Sequence, residues 1–133
     1  MVSFQIASDL HIEKWDFDID PLNLITPTAD ILILAGDIGS FYKIDQLKKF
    51  LTILCSLFKT VIYIPGNVEY YRVIGYKEHS MLFLLNRIKS FENSLGNLYI
   101  LDKKSIIING VCITGCTLWS QLRVEIPKFI VRI

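Results

Sequence analysis

Three apolar runs, each stopping at a turn that carries a polar side chain, constrain this chain more than any other feature. Phe4-Gln5-Ile6-Ala7-Ser8 runs into Asp9-Leu10-His11, Ile31-Leu32-Ile33-Leu34-Ala35 into Gly36-Asp37, and Thr60 to Ile64 into Pro65-Gly66-Asn67-Val68-Glu69. Short runs rich in β-branched residues read as strands, and nearly continuous apolarity reads as burial on both faces of a parallel sheet. In an open α/β sheet, ligands gather outside the carboxyl ends of the strands. Asp9, His11, Asp37 and Asn67 are therefore predicted to converge from distant parts of the sequence. Carboxylate and amide oxygens with an imidazole nitrogen suit hard to borderline divalent ions such as Mn²⁺, Fe²⁺ or Zn²⁺. Taken singly, each residue has an ordinary explanation: Asp9 as a turn cap, Asp37 in a common loop dipeptide, Asn67 as a left-handed turn residue, His11 as a loop histidine. Their order and strand context together point to one metal site.

The remaining segments complete an α/β pattern. Val2 to Ser8 is predicted as a central strand because few of its residues are polar. Asp9 to Pro27 is a long loop in which Asp16, Asp18 and Asp20 lack EF-hand spacing and read as solvated acids. Trp15 and Phe17 are expected to pack against the sheet, ahead of the alternative that they line a substrate cleft. Leu47, Phe50, Leu51, Leu54, Leu57 and Phe58 follow helical spacing within Ile44 to Phe58, opposite Lys48, Lys49 and Thr52. A second helix is predicted over about Lys77 to Leu95, with Leu82, Leu85, Ile88 and Phe91 inward and His79 as a partly exposed helix residue. Asn97 to Leu101 is a fourth strand. Asn109-Gly110 between two apolar runs predicts a hairpin, because both residues accept the positive backbone angles of a type I′ turn. The tail after Ser120 is expected to be a last strand or a partner-binding edge.

Length and composition narrow the class. A chain of 133 residues is sized for one domain. Its formal net charge of +1 gives no pull towards nucleic acid or an anionic membrane. A mean hydropathy of +0.43 is high, yet the apolar runs are strand-sized and far below the ~20 residues that span a bilayer. The N-terminus lacks a basic segment followed by an apolar stretch, so no signal peptide is expected. Cys55, Cys112 and Cys116, odd in number and in apolar context, are expected to be buried thiols in a reducing cytoplasm.

Asp9-Leu10-His11, Gly36-Asp37 and Gly66-Asn67-Val68-Glu69, in this order, resemble the first three motifs of the calcineurin-like metallophosphoesterases: DxH, GD and GNH followed by an acid. Ile113 to Ser120 is similar to the strand with the pattern G-x-T-L-W that often follows them. The resemblance implies the N-terminal part of a four-layer αββα sandwich. It also implies hydrolysis of phosphoric esters by a metal-activated water, with Asp9 and His11 on one ion, Asp37 bridging two, and Asn67 on the second. The family's GNH histidine, which would protonate the leaving group, is Val68 here. The family's downstream histidines have no counterpart, since His11 and His79 are the only two in the chain. The resemblance therefore implies either a weakened phosphoesterase, completed by water, Glu69 or another chain, or a non-catalytic pseudo-phosphoesterase that binds or scaffolds. An apparently truncated sandwich would leave an apolar sheet face uncovered, which predicts self-association as a homodimer.

Overall fold

The computed structural model describes residues 2–120. The architecture is α/β, as the alternation of runs predicts: a four-stranded parallel sheet, two helices and a separate antiparallel hairpin. Strands β1 (Phe4–Ala7), β2 (Ile31–Ala35), β3 (Thr60–Ile64) and β4 (Leu98–Ile100) lie side by side in chain order. Helix α1 (Ile44–Leu57) connects β2 to β3, and α2 (Met81–Glu92) connects β3 to β4.

The register divides the strands into two faces. Leu32, Leu34, Val61, Tyr63, Leu98 and Ile100 alternate onto one face and are buried beneath the helices. Leu47, Phe50, Leu51 and Leu54 of α1 and Leu84, Leu85 and Ile88 of α2 complete that core. Each fully buried aliphatic side chain contributes ~1.5–3 kcal/mol relative to exposure, so this layer supplies most of the driving force for folding. Phe4, Ile31, Ile33, Ile62 and Ile64 point to the other face. There the hairpin of β5 (Lys104–Ile108) and β6 (Val111–Gly115) packs Ile106, Ile108 and Ile113 against them. Asn109 and Gly110 have φ of 51° and 81°, the positive angles expected of the hairpin turn.

Several expectations need correction. Strand β1 is an edge strand of the described sheet, and Ile6, on its hairpin-side face, is 67% exposed. Its apolar sequence mimics a central strand, while Gln5 reveals the edge by bonding Thr26 O and Thr28 N in the adjoining loop. Helix α2 begins at Met81 because the Ser80 hydroxyl caps it, accepting from Phe83 N at 3.2 Å. Leu84, Leu85 and Ile88 face the core from this helix, while Leu82 is 67% exposed. His79 precedes the helix and stacks on Phe83, with ring centroids 4.3 Å apart. Trp15 and Phe17 meet edge to face at 5.5 Å but remain on the surface and line a groove rather than packing against the sheet. The acids of their loop are solvated as expected: Asp18 pairs with Lys49 in the open, and Asp20 caps a short turn by accepting from Leu22 N. The tail after Ser120 lies outside the described residues.

The cysteines also differ from expectation. All three are free thiols, with Cys112 exposed and Cys55 and Cys116 half-buried. Burial near the end of α1 pushes the Cys55 thiol up to about 11 from its ordinary 9.0. A raised pKa keeps it protonated until the solution is strongly alkaline, and each unit removes about tenfold of the reactive thiolate. Iodoacetamide near neutral pH is therefore expected to alkylate Cys112 at least ~10-fold faster than Cys55, as read by peptide mass spectrometry. Equal rates would mean that the end of α1 opens readily. No helix among the described residues is long and apolar enough to cross a membrane.

Candidate metal centre

The loops that follow β1, β2 and β3 are laced together at the carboxyl edge of the sheet. Backbone hydrogen bonds Asp9 N to Gly36 O (3.0 Å), His11 N to Asp37 O (3.0 Å) and Ile12 N to Ile38 O (2.9 Å) zip the first loop onto the second. The result brings Asp9, His11 and Asp37 together, with one ligand atom from each lying within 4.8 Å of the others. Metal bonds of ~2.1 Å hold neighbouring donor atoms ~3–4 Å apart, so a shift of about an ångström would close the set on an ion.

The backbone at these positions is unusual. Asp9, His11 and Asp37 have φ of 55°, 51° and 56°, in the left-handed region. Asp and His tolerate it better than most residues, but each non-glycine there still carries strain of order 1 kcal/mol or more. The only other described non-glycine residues with positive φ are Lys103 and Asn109, both in turns beside the hairpin strands. Strain concentrated on the same three side chains that converge is the pattern of a functional site.

Glu69 organises the third loop and is the residue whose role the sequence leaves hidden. It is fully buried. Its Oε1 accepts from Ile38 N (2.8 Å) and Tyr63 Oη (2.9 Å), and its Oε2 accepts from Gly66 N (2.9 Å) and Asp37 N (3.1 Å). One carboxylate thus ties the third loop to the second and to β3. Glu69 is therefore not available as a supporting metal ligand, because both oxygens already serve internal donors. Burial pushes its carboxyl above the ordinary range, against the hydrogen bonds from Ile38 and Tyr63 that favour the charged form.

Asp37 is held by its surroundings without being used up. Its Oδ1 accepts from Val68 N at 3.1 Å, so Val68 contributes a backbone donor. Gly66 makes this approach possible: a Cβ there would lie 2.7 Å from Asp37 N and 3.1 Å from its Cγ. Asn67 lies on the same loop, and with Asp9, Asp37, Gly66 and Cys116 it lines a cleft of about 250 Å³. Its Nδ2 donates to Tyr71 Oη, which turns the amide oxygen away from that partner.

His11 has a partner that the sequence reading passed over. Its Nδ1 faces Glu13 Oε1 at 3.1 Å, and Glu13 Oε2 is buried with no hydrogen-bond partner among the described residues. A carboxylate on Nδ1 fixes the proton there and leaves Nε2 as the free lone pair, the arrangement that orients metal-ligating histidines. The signal in the sequence was an acid two residues after His11.

No family model matches the chain. It is 27% identical over 129 residues to an uncharacterized protein of Acanthamoeba polyphaga mimivirus, an alignment that covers 87% of this chain and 44% of that protein. The chain thus spans less than half the length of the relative it matches.

Proposed function

We propose that the chain is a metal-dependent phosphoesterase whose centre is built on Asp9, His11 and Asp37, with Asn67 at its edge. The observation that carries this reading is the convergence of three ligand atoms within 4.8 Å at the carboxyl ends of parallel strands. The donor set fits divalent cations such as Mn²⁺, Fe²⁺ or Zn²⁺, and the partnered Nδ1 of His11 fits a ligating Nε2. Asp9 and His11 would hold one ion, Asp37 would be shared, and Asn67 would offer its amide oxygen to a second. When bound, two such ions supply charge neutralisation of the phosphate and acidify a water.

The chain's own residues do the rest. Asp37 is fixed by Val68 N, which donates to its Oδ1, and the missing Cβ at Gly66 leaves room for its carboxylate. The valine side chain holds no proton, so position 68 gives the departing alkoxide none. Losing a general acid costs ~10²–10⁴-fold for poor leaving groups and less for those that depart as stable anions. Activated aryl phosphodiesters are accordingly the preferred test substrates. Mn²⁺-dependent hydrolysis of such an ester that vanishes in Asp37→Asn supports the reading, and no turnover at high enzyme concentration overturns it. A second reading, a non-catalytic module that keeps the sheet for association, is favoured by the same Val68 and by the three-residue donor cluster among the described residues. Mn²⁺ binding without turnover would select it.

We also propose that the chain works in the cytoplasm, where its three free thiols stay reduced, and that it pairs with a second copy. Edge strand β1, with Ile6 exposed beside the half-buried Phe4 and Ile33, is the surface that supports the pairing. Light scattering is expected to give twice the 15.3 kDa chain mass at micromolar concentration. A monomer mass, unchanged by Ile6→Lys, would overturn the pairing.

A further inference from the structure

Next to the metal cleft the molecule carries an aromatic groove to which nothing above gives a task. It measures about 740 Å³ and is lined by Tyr42, Tyr70, Tyr71, Arg72, His79 and Trp119, with Glu78 and Met81 at its margin. That volume is within the ~300–1,000 Å³ range of small-molecule sites. Tyr71 and Trp119 are 37% and 45% exposed, so both rings are accessible from the groove. Tyr70 and Trp119 face each other with ring centroids 6.0 Å apart and tilted by 48°. Tyr42 and His79 stand 6.2 Å apart.

The groove is joined to the metal cleft at two points. Asn67, in the cleft, donates to Tyr71 Oη, in the groove. Leu118 lines the cleft while its neighbour Trp119 lines the groove, and Thr117 Oγ1 anchors this segment by donating to Pro65 O at 2.8 Å. A phosphate at the metal centre would therefore have its organic substituent beside Tyr71 and Trp119. The polar edges are of mixed character. Arg72 is held only loosely, 3.8 Å from Glu78 with both side chains in solvent, so its guanidinium is free to reach a ligand.

We propose that the groove binds the planar heteroaromatic group of the phosphoester, a nucleobase or a ring of that size, by stacking on Trp119 and Tyr71. Arg72 and His79 would serve as hydrogen-bonding edges. The proposal rests on the phosphoesterase reading for its orientation but not for its binding energy. Stacking on an aromatic side chain needs no metal, and every base offers a π face.

The test uses the full chain carrying Trp15→Phe, so that Trp119 is the sole remaining tryptophan of the two, and Asp37→Asn, so that nothing turns over. Adenosine 5′-monophosphate is expected to quench Trp119 emission saturably and to bind at least tenfold tighter than ribose 5-phosphate by calorimetry. Adding Tyr71→Ala or replacing Trp119 with alanine should abolish that preference. Both side chains are partly exposed, so their truncation leaves the core intact, which circular dichroism verifies. Affinities for the two phosphates within a factor of two, with unchanged emission, would overturn the proposal. Failure of the phosphoesterase reading is distinguishable: the unmodified chain would then hydrolyse no ester even with Mn²⁺ present, while the nucleobase preference in the Asp37→Asn variant would persist.

Discussion

Glu69→Ala is expected to destabilise the chain by at least ~3 kcal/mol, the largest effect of any single substitution in the loops at the sheet edge. Truncation would orphan three backbone N–H groups, of Asp37, Ile38 and Gly66, together with the Tyr63 hydroxyl. Each buried unsatisfied donor costs ~1–3 kcal/mol, reduced where water enters the space left behind. Domains of this size are stable by only ~5–15 kcal/mol, so the variant should sit near the edge of folding. Glu69→Gln is no refuge, because its amide NH₂ would face two donors wherever it points. Tyr63→Phe removes one donor and leaves the carboxylate three, so its loss should be only ~1 kcal/mol. Urea denaturation of the three variants checks the ranking. A Glu69→Ala chain within about 1 kcal/mol of the parent would show that the carboxylate is dispensable to the fold.

Asp37→Asn is expected to weaken Mn²⁺ binding by at least ~100-fold in calorimetry while barely moving the unfolding midpoint. The two readouts separate because the side-chain oxygen of the introduced asparagine can still accept from Val68 N, the bond that Asp37 Oδ1 makes. Loss of a partner behind a ligand already costs ~10–100-fold in metal affinity, so loss of the shared ligand belongs at or beyond the top of that range. Glu13→Gln is the companion substitution, placed within that range because it weakens the hold on His11 Nδ1 without touching a ligand. Unchanged Mn²⁺ affinity in Asp37→Asn would remove Asp37 from the centre, and the phosphoesterase reading would fall with it.

What the sequence made legible follows from how local each signal is. The strands, α1 and the hairpin rest on periodicity and turn chemistry over a few residues, and they stand where expected. Asp9, His11 and Asp37 come together because polar residues after apolar strands meet at one sheet edge. Glu69 was misjudged because an acid in a loop ordinarily faces water, and only the folded loops reveal four donors aimed at it. On α2, Leu85, Ile88 and Phe91 face the core as expected, while Leu84 takes the place expected of Leu82, because the sheet packs against the side of the helix that carries Leu84, Leu85 and Ile88. Strand β1 carries an edge position in an otherwise apolar sequence, where Gln5 is the only polar residue that marks it.

The spatial order of the strands is also their order along the chain. Phe4 pairs with Ile31, and Ile31 with Thr60, so each closure joins segments roughly thirty residues apart, and its entropic cost grows only with the logarithm of loop length. Asp9, His11 and Asp37 meet when the first closure forms, and Glu69 locks them when the second does. A chain emerging from the ribosome N-terminus first would therefore expose Asp9, His11, Asp37 and Glu69 before α2, β4 or the hairpin had emerged, so the loops at the sheet edge can take shape while the layers that cover the sheet are still to come.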